Sequence, residues 1–223
     1  MSTPLFLGIV LVVAVAAGVG FALRLRRRQH RLPEDADLPA RAHVWVAVVT
    51  PVAAVVAATG VAGRWPWWVA IGPVLLVLGW MFAAGIDADV GRLPNVLTLP
   101  LAGFAVAWGL ALAWLFARPD AALRTVVGAL GLAALYLGLM VLSRVVPPHQ
   151  EGLGAGDVKL ALSIGATLGW FSWQGVWVSV LLAFVIGAVW AGVLLVSGRA
   201  GRHDSFSFGP AMVLGAALAL LAA

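Results

Sequence analysis

The sequence predicts an all-α, polytopic membrane bundle of about eight transmembrane helices, with the N-terminus outside. Three observations predict it. Of 223 residues, 63% are hydrophobic and 10% charged, and the mean hydropathy is +1.04. Apolar runs near the roughly 20 residues that cross a bilayer recur between short polar segments. The 26 glycines, with many alanines, suit helices that approach closely in lipid. A single integral membrane domain, residues 1–223, accounts for the whole chain.

Residues 4–23 form the first span, followed at once by Arg24, Arg26, Arg27, Arg28 and Arg31. A secretory signal carries its positive charge ahead of the apolar segment, so this order reads as an anchor rather than a cleaved signal. Residues 24–43 make a short cytoplasmic loop, too small for a domain of its own. Its arginines suit a topology signal or contact with anionic membrane lipids. Residues 44–63 are span two, with Pro51 as a tolerated kink. The run Arg64-Trp65-Pro66-Trp67-Trp68 reads as an interfacial turn with an aromatic belt.

Span three, 67–86, ends at Asp87, and the segment 87–95 is expected to be a loop. Span four covers about 96–117. The turn at Arg118-Pro119-Asp120 precedes span five, about 125–142. A loop from 143 to 156 contains Pro147, Pro148 and His149 and leads into span six, 157 to about 171. Spans seven and eight follow at about 176–196 and 208–223. Placing the N-terminus outside puts eleven of the fourteen basic residues on the cytoplasmic side and only Arg64, Arg118 and Arg124 opposite. That bias supports the orientation, and it puts Asp87 and Asp157 on one side, the cytoplasmic one.

The net charge of +5 and pI near 11.3 therefore reflect loop charges that fix topology, and nucleic acid is not an expected partner. The absence of cysteine excludes disulfides, thiolate metal sites and cysteine nucleophiles. His30, His43, His149 and His203 are scattered without ligand spacing, so no metal and no cofactor are expected. Ser205 and Ser207 lack the histidine and acid that would activate a serine.

Most of the nine acidic residues lie in evident loops, namely Glu34, Asp35, Asp37, Asp120, Glu151 and Asp204. Asp87, Asp89 and Asp157 instead stand against span ends, where a carboxylate loses hydration and is costly unless used. Asp157 belongs to Gly154-Ala155-Gly156-Asp157-Val158-Lys159-Leu160. The glycines there allow a tight turn and close approach of another chain. No phosphate-loop or dinucleotide pattern is present. Two carboxylates brought together do not both ionise readily, so a pair shares one proton. The ionised member then draws a proton from water while the other polarises a scissile carbonyl. On a helix Asp89 would point about 200° away from Asp87, so it is a supporting acid or a solvated one. Lys159 either favours ionised Asp157 or reaches for the interface. Pro94 and Asn95 are expected to end a turn and cap span four.

At these residues the sequence resembles the bacterial type IV prepilin peptidases, membrane aspartyl proteases of the Gly-x-Gly-Asp class. Asp87-Ala88-Asp89-Val90-Gly91-Arg92-Leu93-Pro94-Asn95, continued by Val96-Leu97-Thr98-Leu99-Pro100, resembles the family's first-aspartate motif. Gly154 to Leu160 matches the second, and Phe206-Ser207-Phe208-Gly209-Pro210 resembles a weaker feature before the last span. The resemblance implies that Asp87 and Asp157 are the catalytic pair, with Asp89, Gly154, Ala155, Gly156 and Lys159 in support and Leu93, Pro94 and Asn95 as a loop motif. It implies no metal, and prepilin-like precursors as substrates. Their basic leaders would be cut at the cytoplasmic face of the inner membrane. Many members also methylate the new N-terminus through a larger loop with paired cysteines. This chain has a short 24–43 loop and no cysteine, so the implied activity is the peptidase's alone. The residues by themselves leave other readings open. These are a proton-coupled transporter carrying protons on Asp87 and Asp157, a magnesium site at Asp87 and Asp89 for a lipid-linked phosphotransferase, and a noncatalytic pilus assembly subunit.

Overall fold

Each predicted apolar run forms an α-helix. The computed structural model describes residues 1–35, 37–38, 43–145, 153–197 and 207–222. Its helices are α1 (Thr3–Arg26), α2 (Val44–Ala62), α3 (Ile71–Val90), α4 (Asn95–Leu115), α5 (Pro119–Val145), α6 (Ala155–Phe171), α7 (Trp173–Val196) and α8 (Gly209–Ala219). Short 3₁₀ turns lie at Pro33–Asp35, at Trp67–Ala70 leading into α3, and at Leu220–Ala222 after α8. Among the described residues, six helices are long and apolar enough to cross a membrane; α6 and Gly209–Ala222 are shorter. The chain is a multi-pass helical membrane protein.

The boundaries differ from expectation where a local signal overrides hydropathy. Residues 87–90 are not loop: α3 runs on to Val90 and stops at Gly91, whose φ of 65° is left-handed. Its N–H donates to the Asp87 carbonyl at 2.7 Å, the glycine stop that ends many helices. Asp87 and Asp89 therefore sit on the last turn of a helix. α5 begins at Pro119, because a proline suits a first helical position and Asp120 suits the first turn. α7 begins at Trp173, where the Ser172 hydroxyl accepts from Gly175 N–H at 3.0 Å as an N-cap. Pro94 is the N-cap residue of α4 through its backbone, Asn95 is the first helical residue, and no side chain caps the helix.

The bundle centres on α6. From Leu160 to Phe171 all but Leu162 are buried, the pattern of a helix enclosed on every side. Its 17 residues rise about 25 Å, less than the roughly 30 Å hydrocarbon core. Enclosure by neighbours removes the need to span lipid, and it lets the helix begin below the end of the bundle. Glycines set its closest seam, with α5. A Cβ on Gly165 would stand 2.1 Å from the Gly128 carbonyl oxygen, and one on Gly169 2.3 Å from that of Arg124. Arg124 also donates to the Gly169 carbonyl at 3.2 Å and the Trp170 carbonyl at 3.3 Å. These are carbonyls of the last helical turn, which lack helical donors. Pro51 offers no N–H to the Ala47 carbonyl, and that oxygen lies against Gly18 of α1, 3.0 Å from where a Cβ would be.

The two ends of the bundle differ in chemistry. At one, Trp65 packs on Phe116 and Trp170 with ring centroids at 5.6 and 4.9 Å, and Arg118 lies over Trp65. The expected aromatic belt is thus partly turned inward. At the other end a polar clamp fastens His30, Arg31, Glu34 and Asp35 to the end of α3 and to Arg92 just after it. Asp89 accepts from Arg31 Nε at 2.8 Å and Nη2 at 2.7 Å, and pairs with His30 Nε2 at 2.7 Å. His43 Nε2 lies 3.6 Å away. Hydrogen bonding to Asp89 holds the Arg31 guanidinium above its ordinary pKa. Arg31 also donates to the Leu38 carbonyl at 2.8 Å, and Arg92 pairs with Glu34 and Asp35.

Two outcomes follow from these contacts. Gly165→Ala should lower stability by about 1–3 kcal/mol, read as a reduced midpoint of thermal unfolding in detergent, whereas Gly131→Ala, with open space at its Cβ position, should not. Asp89→Asn removes the bidentate carboxylate, so the amides of residues 30–35 should exchange faster with deuterium while those in α6 stay protected.

Candidate active site

The charged end of the bundle gathers the residues singled out from the sequence. Asp87 reaches it from the C-terminal turn of α3 and Asp157 from the N-terminal turn of α6. Each residue is 6% exposed, which makes the helix termini around them decisive. A carboxylate removed from water needs donors, and the first N–H groups of a helix have no intrahelical partners.

Asp157 is the third residue of α6. Its Oδ2 turns back to accept from the Gly154 N–H at 2.8 Å, the acidic half of a capping box. Its Oδ1 is buried and has no hydrogen-bond partner among the described residues. Asp87 is met by the start of α8. Its Oδ2 accepts from the Ser207 hydroxyl and from the Gly209 N–H, the latter at 3.0 Å. A Cβ on Gly209 would stand 2.6 Å from that same oxygen, so only glycine allows this approach. Phe208 anchors the turn, packing on Phe184 and Tyr136 with centroids at 5.2 and 6.2 Å. It also fills the space over Gly187, where a Cβ would lie 2.8 Å from its ring. Asp87 and Asp157 lie within electrostatic reach of each other, and Tyr136 within reach of Asp157.

A buried hydrogen bond ties the two acid-bearing helices together. Trp80 Nε1 donates to Ser163 Oγ at 2.8 Å, and that hydroxyl donates to the Leu160 carbonyl at 2.9 Å. Asp87 lies seven residues beyond Trp80, about 10.5 Å along α3, and Asp157 six residues before Ser163, about 9 Å along α6. The helices run in opposite senses through this contact, so both acids sit at nearly the same level.

The supporting residues divide. Gly156 is packed against Leu93, whose Cβ would be 2.6 Å from a Cβ added there, so the second motif needs glycine to seat the loop of the first. Gly154 has an ordinary extended backbone, φ −89° and ψ 162°, and a Cβ there would meet nothing closer than 3.7 Å. Gly154 and Ala155 are exposed. Lys159 does not pair with Asp157; its Nζ donates to Asn95 Oδ1 at 2.6 Å. Asp89 is neither solvated nor beside Asp87's partners, being held by Arg31 and His30. Glu151, His149, Phe206, Ser205, Asp204 and His203 lie outside the described residues. Among the described residues no group of three His, Asp or Glu is gathered as a metal site.

Sequence reasoning missed Ser207, Gly209, Trp80 and Ser163 as parts of this arrangement. Ser207 and Gly209 lie within the feature before the last span, where a glycine-proline helix start was visible but its target was not. Trp80 and Ser163 carried no signal, because a tryptophan and a serine in apolar helices are ordinary.

Residues 74–192 match the Type IV leader peptidase family. The chain is 34% identical over 158 residues to a protein of Stutzerimonas stutzeri named prepilin leader peptidase/N-methyltransferase, covering 69% of this chain and 50% of that one. Proteins of the same name are similar in Aeromonas salmonicida, 32% identical over 148 residues (66% and 48% of the two chains). In Burkholderia pseudomallei the identity is 37% over 140 residues (61% and 41%). The chain spans about half the length of these relatives. No solved structure matches it. With both aspartate motifs inside or bordering the matched stretch, and a helical bundle that brings them to one end, the chain belongs to the Type IV leader peptidase family.

Proposed function

We propose that this chain is a membrane aspartyl endopeptidase that removes the leader of type IV prepilin-like precursors, with Asp87 and Asp157 as its catalytic pair. The observation that carries the reading is the convergence of two buried carboxylates from α3 and α6 on one end of the bundle, each accepting one helix-terminal N–H. The relatives' shared name, prepilin leader peptidase, supports the substrate class. The excess of basic residues in the loops on the acids' side supports a cytoplasmic-face site in the inner membrane.

In this mechanism one carboxylate takes a proton from water as the oxygen attacks the scissile carbonyl carbon. The other donates its proton to the carbonyl oxygen. Collapse of the tetrahedral intermediate breaks the C–N bond as the leaving nitrogen takes the proton that came from water, and the re-forming carbonyl returns its hydroxyl proton to the other carboxylate. Neither acid is consumed. The exposed Gly154-Ala155 edge leaves room for an extended substrate segment, and Lys159 with Asn95 braces the two motifs beside it. The whole of residues 1–223 acts as one peptidase domain in contact with membrane lipids.

Coexpression with a class-matched prepilin tests this directly. The wild-type chain should release the leader, seen as a mobility shift, and Asp87→Asn and Asp157→Asn should each reduce release at least a thousandfold, on the order expected for a group acting in the chemical step. Processing that persists in either variant overturns the assignment. Cleavage in detergent should be unchanged by a strong chelator; loss of activity there, restored by magnesium, would instead favour metal-dependent chemistry at Asp87 and Asp89.

A further inference from the structure

Resting on the aspartyl peptidase reading, the geometry points to Oδ1 of Asp87 and Oδ1 of Asp157 as the two working oxygens, with Ser207 as the positioning residue that makes this choice at Asp87. Each carboxylate is used asymmetrically. Oδ2 of Asp157 is taken by the Gly154 N–H, while its Oδ1 is buried and without a partner among the described residues. Oδ2 of Asp87 is taken twice, by the Ser207 hydroxyl and the Gly209 N–H, and none of the hydrogen bonds among the described residues falls on its Oδ1.

The two donors to Asp87 differ in kind. The Gly209 N–H belongs to the first residue of α8 and is fixed by the helix. With it alone, the carboxylate could still turn about the bond to its Cβ, because a single hydrogen bond defines one contact and not a plane. The Ser207 hydroxyl reaches the same oxygen from the preceding segment, on the other side of Phe208. Phe208 is wedged among Tyr136, Phe184 and Gly187, so the two donors cannot separate without moving that ring. Together they hold the carboxylate plane and keep Oδ1 free for water. Ser207 does not reach the substrate in this arrangement. It acts only through Asp87.

The test is steady-state kinetics of the full-length membrane protein in detergent with a prepilin substrate. Ser207→Ala should lower kcat about ten- to a hundredfold, the cost of a misplaced reacting group, leave KM within about twofold, and move the pH–rate profile. Ser207→Thr, which keeps the hydroxyl, should restore kcat to within about threefold of the wild type. Thermal unfolding measured on each variant separates the chemistry from folding. Ser207→Ala with wild-type kcat and pH profile overturns the inference. So does a Ser207→Thr protein that folds normally but is as slow as Ser207→Ala. Asp87→Asn is run beside them. If it still cleaves, the peptidase reading itself falls, whereas an inactive Asp87→Asn with a fully active Ser207→Ala removes only the role of Ser207.

Discussion

The structure depends on how a carboxylate is kept in apolar surroundings. Asp87, Asp89 and Asp157 are all buried, and each is accommodated differently. Asp157 accepts from the amide that opens its own helix. Asp87, at the wrong end of α3 for such a bond, borrows the amide that opens α8. Asp89 has no helix start in reach; it is paired with the Arg31 guanidinium and hydrogen-bonded to His30 from the segment after α1. The partners also differ in number: Asp89 is held on both oxygens, whereas Asp87 and Asp157 each keep one oxygen that no hydrogen bond among the described residues reaches.

Small residues make this placement possible. Gly165 and Gly169 seat α6 directly on the backbone of α5, and Gly156 and Gly209 remove the side chains that would keep Leu93 from α6 and α8 from Asp87. In lipid, where burial of apolar surface offers no preference for helix over hydrocarbon, such backbone contacts and the Trp80–Ser163 hydrogen bond supply much of the specificity. The result is a central helix fixed on all sides, with its acidic first turn just inside the charged end of the bundle.

Much of this was legible in the sequence. The eight helices follow from hydropathy, and counting which acids border apolar runs picks out Asp87, Asp89 and Asp157, the three that the fold buries at its charged end. Three kinds of information were not. Helix ends were set by single residues, such as Gly91 in a left-handed conformation and Ser172 as a cap, which a hydropathy window averages away. The fate of Asp89 depended on Arg31, fifty-eight residues earlier, and nothing in local spacing reports a contact across such a distance. Local spacing offers Lys159 either Asp157 or the interface, whereas its hydrogen-bond partner, Asn95, comes from another helix. The helix runs through both Asp87 and Asp89, and the two side chains meet different partners, as the helical angle between them predicts.

The clamp at Arg31 carries a consequence for biogenesis. An arginine just after a first span carries the kind of charge that orients a nascent helix in a bilayer. In the folded chain the same guanidinium is the counter-ion of Asp89. One side chain thus suits two demands, the charge that orients a span and the closure of the finished bundle. A lysine would meet the first as well as arginine does, but it cannot reproduce the two-pronged grip that the second uses.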